Sequence, residues 1–258
     1  ATLDAARRLW KAVGRPNLMI KIPGTQEGLP AIESALAEGL NVNITLLFAV
    51  ERYVQVMEAW FAAMEKRAAS DLPLVSVASV ASFFVSRVAT LADKLLGAGK
   101  SIPSPSGRGE GEGGLVRKLG IANAKLAYAA FQKLFRGPRF AALEKKGARV
   151  QRPLWASTST KSPALPDTYY VDALLGPDTV NTLPPETYAA YRDHGKPVSR
   201  LKEGLDEAKA QVAAFEKLGL SLKAVTSELE ADGVKKFADA YKSLLDTVER
   251  KKKAIAVG

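Results

Sequence analysis

The stretch NLMIKIPGT, residues 17–25, sets one lysine inside an apolar run that stops at Pro23 and Gly24. Side chains alternate along a strand, so Met19 and Lys21 share one face while Leu18, Ile20 and Ile22 share the other. The aliphatic face needs helices over it. The stretch LNVNITLLF, residues 40–48, divides the same way, with Asn41, Asn43 and Thr45 opposite Val42, Ile44 and Leu46. Two successive strands, each with a polar and an apolar face, are what a barrel with a site at the C-terminal mouth of its strands requires. Lys21 then points inward near its strand end, where burial can leave an amine nucleophilic. Pro23 and Gly24 end the strand and turn the chain outward. A strand-end lysine that snorkels to water is the alternative. Asn43 and Thr45 weigh against it, because an amide and a hydroxyl beside the amine can bind substrate hydroxyls and manage protons around a carbinolamine.

Strand-like and helical runs alternate outward from this pair. Residues 27–39 are amphipathic, with Gly39 suited to a helix C-terminus. Over 51–69, Tyr53, Val54, Met57, Trp60, Phe61 and Met64 recur at spacings of three and four, which predicts a long helix covering a sheet. A third strand is expected at Leu74–Ala81, running into SFFVSR and then a helical segment, with further strands at Val150–Ser157 and Thr179–Leu183. Between the last two, Asp167 is the expected N-cap of a short helix and Gly176 lies past its end. Strands alternating with helices predict parallel βαβ units. The segment KSIPSPSGRGEGEGG, residues 100–114, is poor in apolar residues and reads as a surface insertion. As a phosphate loop it lacks the preceding strand and the lysine. The tail beyond residue 199 is helical by pattern. Residues 1–200 therefore read as the α/β part and 201–258 as helices packed on it.

Composition narrows the chemistry. A chain of 258 residues that is 47% hydrophobic can bury a sizeable core. No apolar run approaches a membrane span, and the start ATLDAARRLW has no signal-peptide core, so a cytoplasmic protein without a membrane partner is expected. There is no cysteine, which excludes disulfides and thiolate metal or redox sites. The single histidine, His194, sits in the turn-like YRDHGKP, and one histidine cannot supply a multi-histidine metal site. The net charge of +10 invites anionic partners. Its basic residues are nonetheless scattered, with no nucleic-acid-binding fingerprint, so nucleic acid is not an expected partner.

At the end of the third strand, alternation places Ser82 and Phe84 toward the mouth. Arg87 follows three residues on, and its forked guanidinium suits a phosphate, the alternative being a helix residue facing solvent. Taken together, IKIPGTQEGLPAI, NVNITLLF, ASFFVSR and WASTSTKSP followed by DTYYVDALLGPDTVNTLP resemble, in order and spacing, the transaldolases, especially the long form also found fused to glucose-6-phosphate isomerase. Asn43 stands 22 positions after Lys21 and Thr45 two further, the family's own spacing.

The resemblance implies a TIM-type (β/α)8 barrel of the class I aldolase kind, working without metal or organic cofactor. Its chemistry is the transfer of a dihydroxyacetone unit between phosphorylated sugars of the pentose phosphate pathway, from sedoheptulose 7-phosphate or fructose 6-phosphate to glyceraldehyde 3-phosphate or erythrose 4-phosphate. Lys21 matches the Schiff-base lysine; Asn43 and Thr45 match the residues that bind the intermediate and orient water. Ser82 and Phe84 match active-site positions and Arg87 a phosphate-binding arginine. Ser157 and Lys161 stand nearest to the second phosphate site, displaced by two residues and with lysine for arginine. In the family the lysine lies on the fourth of eight strands. Here 20 residues precede it. The chain therefore reads as an incomplete barrel, strands four to eight, lacking the strands that bring the general acid and base. Its expected partners are those strands or a fused isomerase domain, and a homo-oligomer stays open. A fructose-6-phosphate aldolase-like enzyme and an impaired fragment are the competing readings.

Overall fold

The structure, a computed structural model, describes residues 1–97, 114–160 and 162–256. The insertion expected over 100–114 lies outside them except for Gly114, and so does Lys161. In chain order the elements are α1 (Thr2–Val13), β1 (Ile20–Pro23), α2 (Leu29–Ala37), β2 (Val42–Leu47), α3 (Val50–Ala69), β3 (Ser79–Phe84), α4 (Ser86–Leu96), α5 (Gly114–Phe135), α6 (Pro138–Glu144), β4 (Arg152–Ala156), α7 (Tyr169–Ala173), β5 (Val180–Asn181), α8 (Pro185–His194), α9 (Leu205–Lys217) and α10 (Leu222–Ala256). The five strands form one sheet in sequence order, every pair parallel. Among the described residues β1 pairs only with β2 and β5 only with β4, so the sheet has two edges.

The expected two-faced strands are present. Ile20, Ile22, Val42, Ile44, Ala81, Phe83 and Trp155 join Tyr53, Met57, Trp60 and Phe61 of α3 and Phe131 and Phe135 of α5 in one buried core. Burying each of the larger side chains contributes about 1.5–3 kcal/mol, which fixes the helices on this face. On the other face Val80, Leu154 and Ala156 form a small cluster with Met19, Phe84 and Val180. Gly39 ends the α2 turn at φ +91°, in the conformation glycine tolerates.

Four local expectations are corrected. The third strand runs from Ser79 to Phe84, five residues later than expected at its start, because β2 offers no backbone partner before Val42, which pairs with Ser79. Leu74 and Val77 are buried in a turn closed by Val77 N–H on Leu74 O instead. The alternation of β2 slips before Leu47: Leu46 has φ +60° and packs with Phe48, Val88 and Phe215, away from Val42 and Ile44. The N-cap of α7 is Thr168, and Asp167 turns instead to His194, whose Nε2 lies 2.8 Å from its Oδ1. His194 is the last residue of α8 and is exposed there, one residue before the loop in which it was expected.

Beyond the sheet, α9 packs on α5, and α10 packs by its first half on α4, α9 and the end of β2. None of the described helices is long and apolar enough to cross a membrane.

Candidate active site

Strand register brings the first three candidates together. Lys21 of β1 stands opposite Asn43 of β2, and Asn43 opposite Val80 of β3. Two residues beyond Val80, Ser82 Oγ–H donates to Asn43 Oδ1 at 2.7 Å. An amine, an amide and a hydroxyl thus occupy one face across three adjacent strands. Ser82 is 3% exposed and Asn43 half-buried, so this part-buried bond fixes the Asn43 amide and directs its NH2. Lys21 is exposed on edge strand β1, not buried as its place inside a closed ring would require.

Thr45 follows Asn43 by two positions, paired with Pro23, and its backbone carbonyl accepts Gly24 N–H at 2.7 Å. Its side chain is 2% exposed, and Oγ1 has no hydrogen-bond partner among the described residues. A buried hydroxyl left unpaired costs about 1–3 kcal/mol, and Thr45 Oγ1 is free to bond a polar atom of a ligand or a water. Asn41, expected on the same face, works elsewhere: its Nδ2 donates to Pro16 O and Leu18 O, and its Oδ1 accepts Ala78 N–H at 2.7 Å. It ties the entries of β1 and β3 to that of β2, at the opposite end from the mouth.

At the C-terminal end of β3, Phe84 packs on Phe48 with ring centroids 5.1 Å apart, and the Arg87 guanidinium lies over the Phe84 ring at 5.1 Å. Arg87 is exposed in the first turn of α4. Its contact with an aromatic face restrains a long cation at the mouth while leaving its donors open. Ser157, just past β4, has φ +57°, and its Oγ lies 2.8 Å from Ser86 Oγ while its carbonyl accepts Ser86 N–H at 3.1 Å. Arg87 and Ser157 are therefore neighbours through Ser86. Lys161 lies outside the described residues.

Sequence reading passed over Ser86, Thr158 and Asn181. Thr158, fully buried, donates to Asn181 Oδ1 at 2.8 Å, linking the end of β4 to β5. The signal was a polar residue at the end of each of three successive strands. Among the described residues, no group of three or more His, Asp or Glu side chains could hold a metal ion. A groove of about 760 Å³ lies between α10 and the starts of α2 and α3, lined by Thr25, Arg52, Gln55, Thr226, Glu230 and Lys235 among others. None of the candidate residues lines it. The face made by Lys21, Asn43 and Ser82 can form an imine with a carbonyl and hold hydroxyls beside it; the Arg87 and Ser157 end can take an anion.

The family model described as transaldolase/fructose-6-phosphate aldolase matches residues 1–248. Among curated relatives, the transaldolase of Parafrankia sp. is 47% identical over 248 residues, 96% of this chain and 65% of that protein. That of Thiobacillus denitrificans is 48% identical over 95% of this chain and 66% of its own length. That of Thermobifida fusca is 48% identical over 96% and 65%. The chain thus spans just under two thirds of the length of these relatives.

Proposed function

The chain belongs to the transaldolase/fructose-6-phosphate aldolase family, and from that premise we propose that Lys21 is the Schiff-base lysine of a transaldolase. The observation that carries the reading is the register of Lys21 on Asn43, with Asn43 fixed by Ser82. The Lys21 amine adds to the keto carbon of a ketose phosphate, and loss of water gives a protonated imine. That imine accepts the electron pair when the carbon–carbon bond breaks, releasing an aldose phosphate and leaving a three-carbon enamine on the lysine. The enamine then adds to the aldehyde carbon of an acceptor aldose phosphate, and water hydrolyses the new imine. Asn43 binds the hydroxyls of the intermediate, and the unspent Thr45 hydroxyl orients the water. Arg87, with Ser157 and Lys161, takes the sugar phosphate.

In this reading the five strands stand for strands four to eight of a (β/α)8 barrel of the long-form transaldolase kind, and 201–258 are the helices packed on it. The open edges of β1 and β5 and the length of the relatives support that assignment. In this reading the general acid and base stand on strands other than these five. No metal or organic cofactor has a role in these steps, and the setting is cytoplasmic.

Borohydride reduction with fructose 6-phosphate tests the reading. A single adduct, of dihydroxyacetone or intact ketose, is expected on Lys21 and absent from Lys21→Ala. Modification spread over other lysines, or none at Lys21, would overturn it. Release of free dihydroxyacetone in the presence of an acceptor aldose would favour the aldolase-like alternative.

A further inference from the structure

The alternation of β2 breaks at one point, beside Thr45. Ile44 pairs with Ala81 and Leu47 with Phe83, so Thr45 and Leu46 together stand against Ser82 alone. This is a β-bulge, and Leu46 within it sits at φ +60°, in the left-handed region. Glycine is the ordinary occupant of that conformation; here it is a fully buried leucine. Strain of this kind persists only where the surroundings over-determine it. Three contacts do so. From the β1 side, Gly24 N–H donates to the Thr45 carbonyl at 2.7 Å. Just beyond the bulge Asn123 of α5, itself 1% exposed, donates from Nδ2 to the Phe48 carbonyl at 2.7 Å. The Leu46 side chain packs with Phe48, Val88 and Phe215, while Leu47 returns to the main core with Ile44.

The bulge decides which hydroxyl bonds to what. Asn43 pairs with Val80, so an unbroken ladder would set Thr45 directly opposite Ser82, where two hydroxyls on adjacent strands bond each other. With the extra residue in place, the Ser82 hydroxyl donates to Asn43 Oδ1 at 2.7 Å, and the buried Thr45 Oγ1 has no partner among the described residues. We propose that Leu46 is a positioning residue. Held left-handed, it keeps Thr45 out of the ladder, so that Ser82 orients Asn43 and the Thr45 hydroxyl stays free for the water that attacks the imine. In that step water adds to the protonated imine carbon and gives up a proton, and the carbinolamine expels the Lys21 amine as the carbonyl re-forms. The role in hydrolysis rests on the Schiff-base reading above; the withholding of Thr45 from Ser82 does not.

Leu46→Ile conserves volume and hydrophobicity but branches at Cβ, which the left-handed backbone rejects, whereas Leu46→Met stays unbranched there. Urea unfolding gives the first reading. Thr45→Val should leave the unfolding constant of the parent and of Leu46→Met unchanged or slightly lowered, and raise that of Leu46→Ile about five-fold, because there the hydroxyl has taken Ser82 as its partner. Equal effects in all three backgrounds would overturn the proposal. The second reading follows the imine. Preformed with fructose 6-phosphate, diluted into sugar-free buffer and quenched with borohydride at intervals, the Lys21 adduct should decay about ten-fold or more slowly in Leu46→Ile but not in Leu46→Met. Adding Thr45→Val to Leu46→Ile should slow it no further, since both changes remove the same hydroxyl. Decay at the parent rate in Leu46→Ile, or further slowing by Thr45→Val, refutes the role. Val88→Ala thins the same apolar cluster without altering the bulge; equal slowing there would reduce Leu46 to bulk packing. Leu46→Val, smaller by a methylene, carries both readings if Leu46→Ile does not fold. If no adduct forms on Lys21 the transaldolase reading fails, and the unfolding comparison still decides whether Leu46 withholds Thr45 from Ser82.

Discussion

Two buried polar side chains with opposite accounts set the residue scale. Thr45 Oγ1 is buried and bonds to nothing described, whereas Arg67 is 5% exposed with its guanidinium spent on Ala37 O at 2.9 Å and Pro73 O at 2.7 Å. Arg67 thereby closes the end of α2 and the turn before β3 with one planar fork. A lysine cannot reproduce that fork, so Arg67→Lys is expected to lower stability by about 1.5–3 kcal/mol, the worth of buried bonds to a charged donor. Thr45→Val, of nearly the same shape, removes an unsatisfied hydroxyl and should leave stability unchanged or slightly raised. Urea unfolding followed by circular dichroism checks both. A large loss in Thr45→Val would show that the hydroxyl is paired and not reserved. The sequence displayed Thr45 through its alternation with Asn43; nothing marked Arg67, whose partners are backbone carbonyls 30 and 6 positions away.

At the scale of elements, helix contacts ask for small residues that no local pattern announces. Gly120 lies inside α5, where a Cβ would come within 2.5 Å of the Val85 carbonyl and 3.3 Å of Ala89. Helix propensity alone favours alanine over glycine there by up to about 1 kcal/mol. Backbone cannot yield as a flexible side chain does, so Gly120→Ala is expected to destabilise by about 1–3 kcal/mol net, the cost of overpacking. Thermal unfolding decides between the two signs. The same limit explains β3: an alternating run from Leu74 looked like strand, but a strand needs a partner, and β2 supplies one only from Val42 onward.

For the whole molecule, charge sets how stability varies with pH. The Asp93 carboxyl on α4 is half-buried, its Oδ1 has no hydrogen-bond partner among the described residues, and burial pushes it up from 3.8 to about 6. The folded state then holds a proton that the unfolded state gives up at lower pH, so stability falls progressively as pH rises from 3.8 to about 6, and above that the penalty of the half-buried charge is fully present. Asp93→Asn is expected to raise stability at pH 7.5 by on the order of 1 kcal/mol, less than full burial would give because solvent screens half the group, and to change little at pH 3.5. Equal effects at both pH values would refute the titration. The opposite slope comes from Glu38 and Glu65, held below the ordinary 4.5 by hydrogen bonds from Arg7 and Arg139; their contribution is present above that value and lost as pH falls through their lower folded values.

What the sequence determined by itself was local and periodic. The alternation of residues 17–25 and 40–48 specified two-faced strands, the spacing of Tyr53 to Met64 specified the helix over them, and the order of segments specified a parallel α/β sheet. Each of these follows from backbone geometry, which repeats every two or 3.6 residues and so leaves its mark in a short window. Only the tertiary structure decided which polar side chains meet. Asn41 and Asn43 have the same face and chemistry in sequence, yet one is spent on three backbone groups and the other stands between Lys21 and Ser82, because register and strand ends are set by pairing between distant segments. The exposure of Lys21 and of the second half of α10 likewise left no mark in periodicity, because exposure depends on which distant segments pack over a residue.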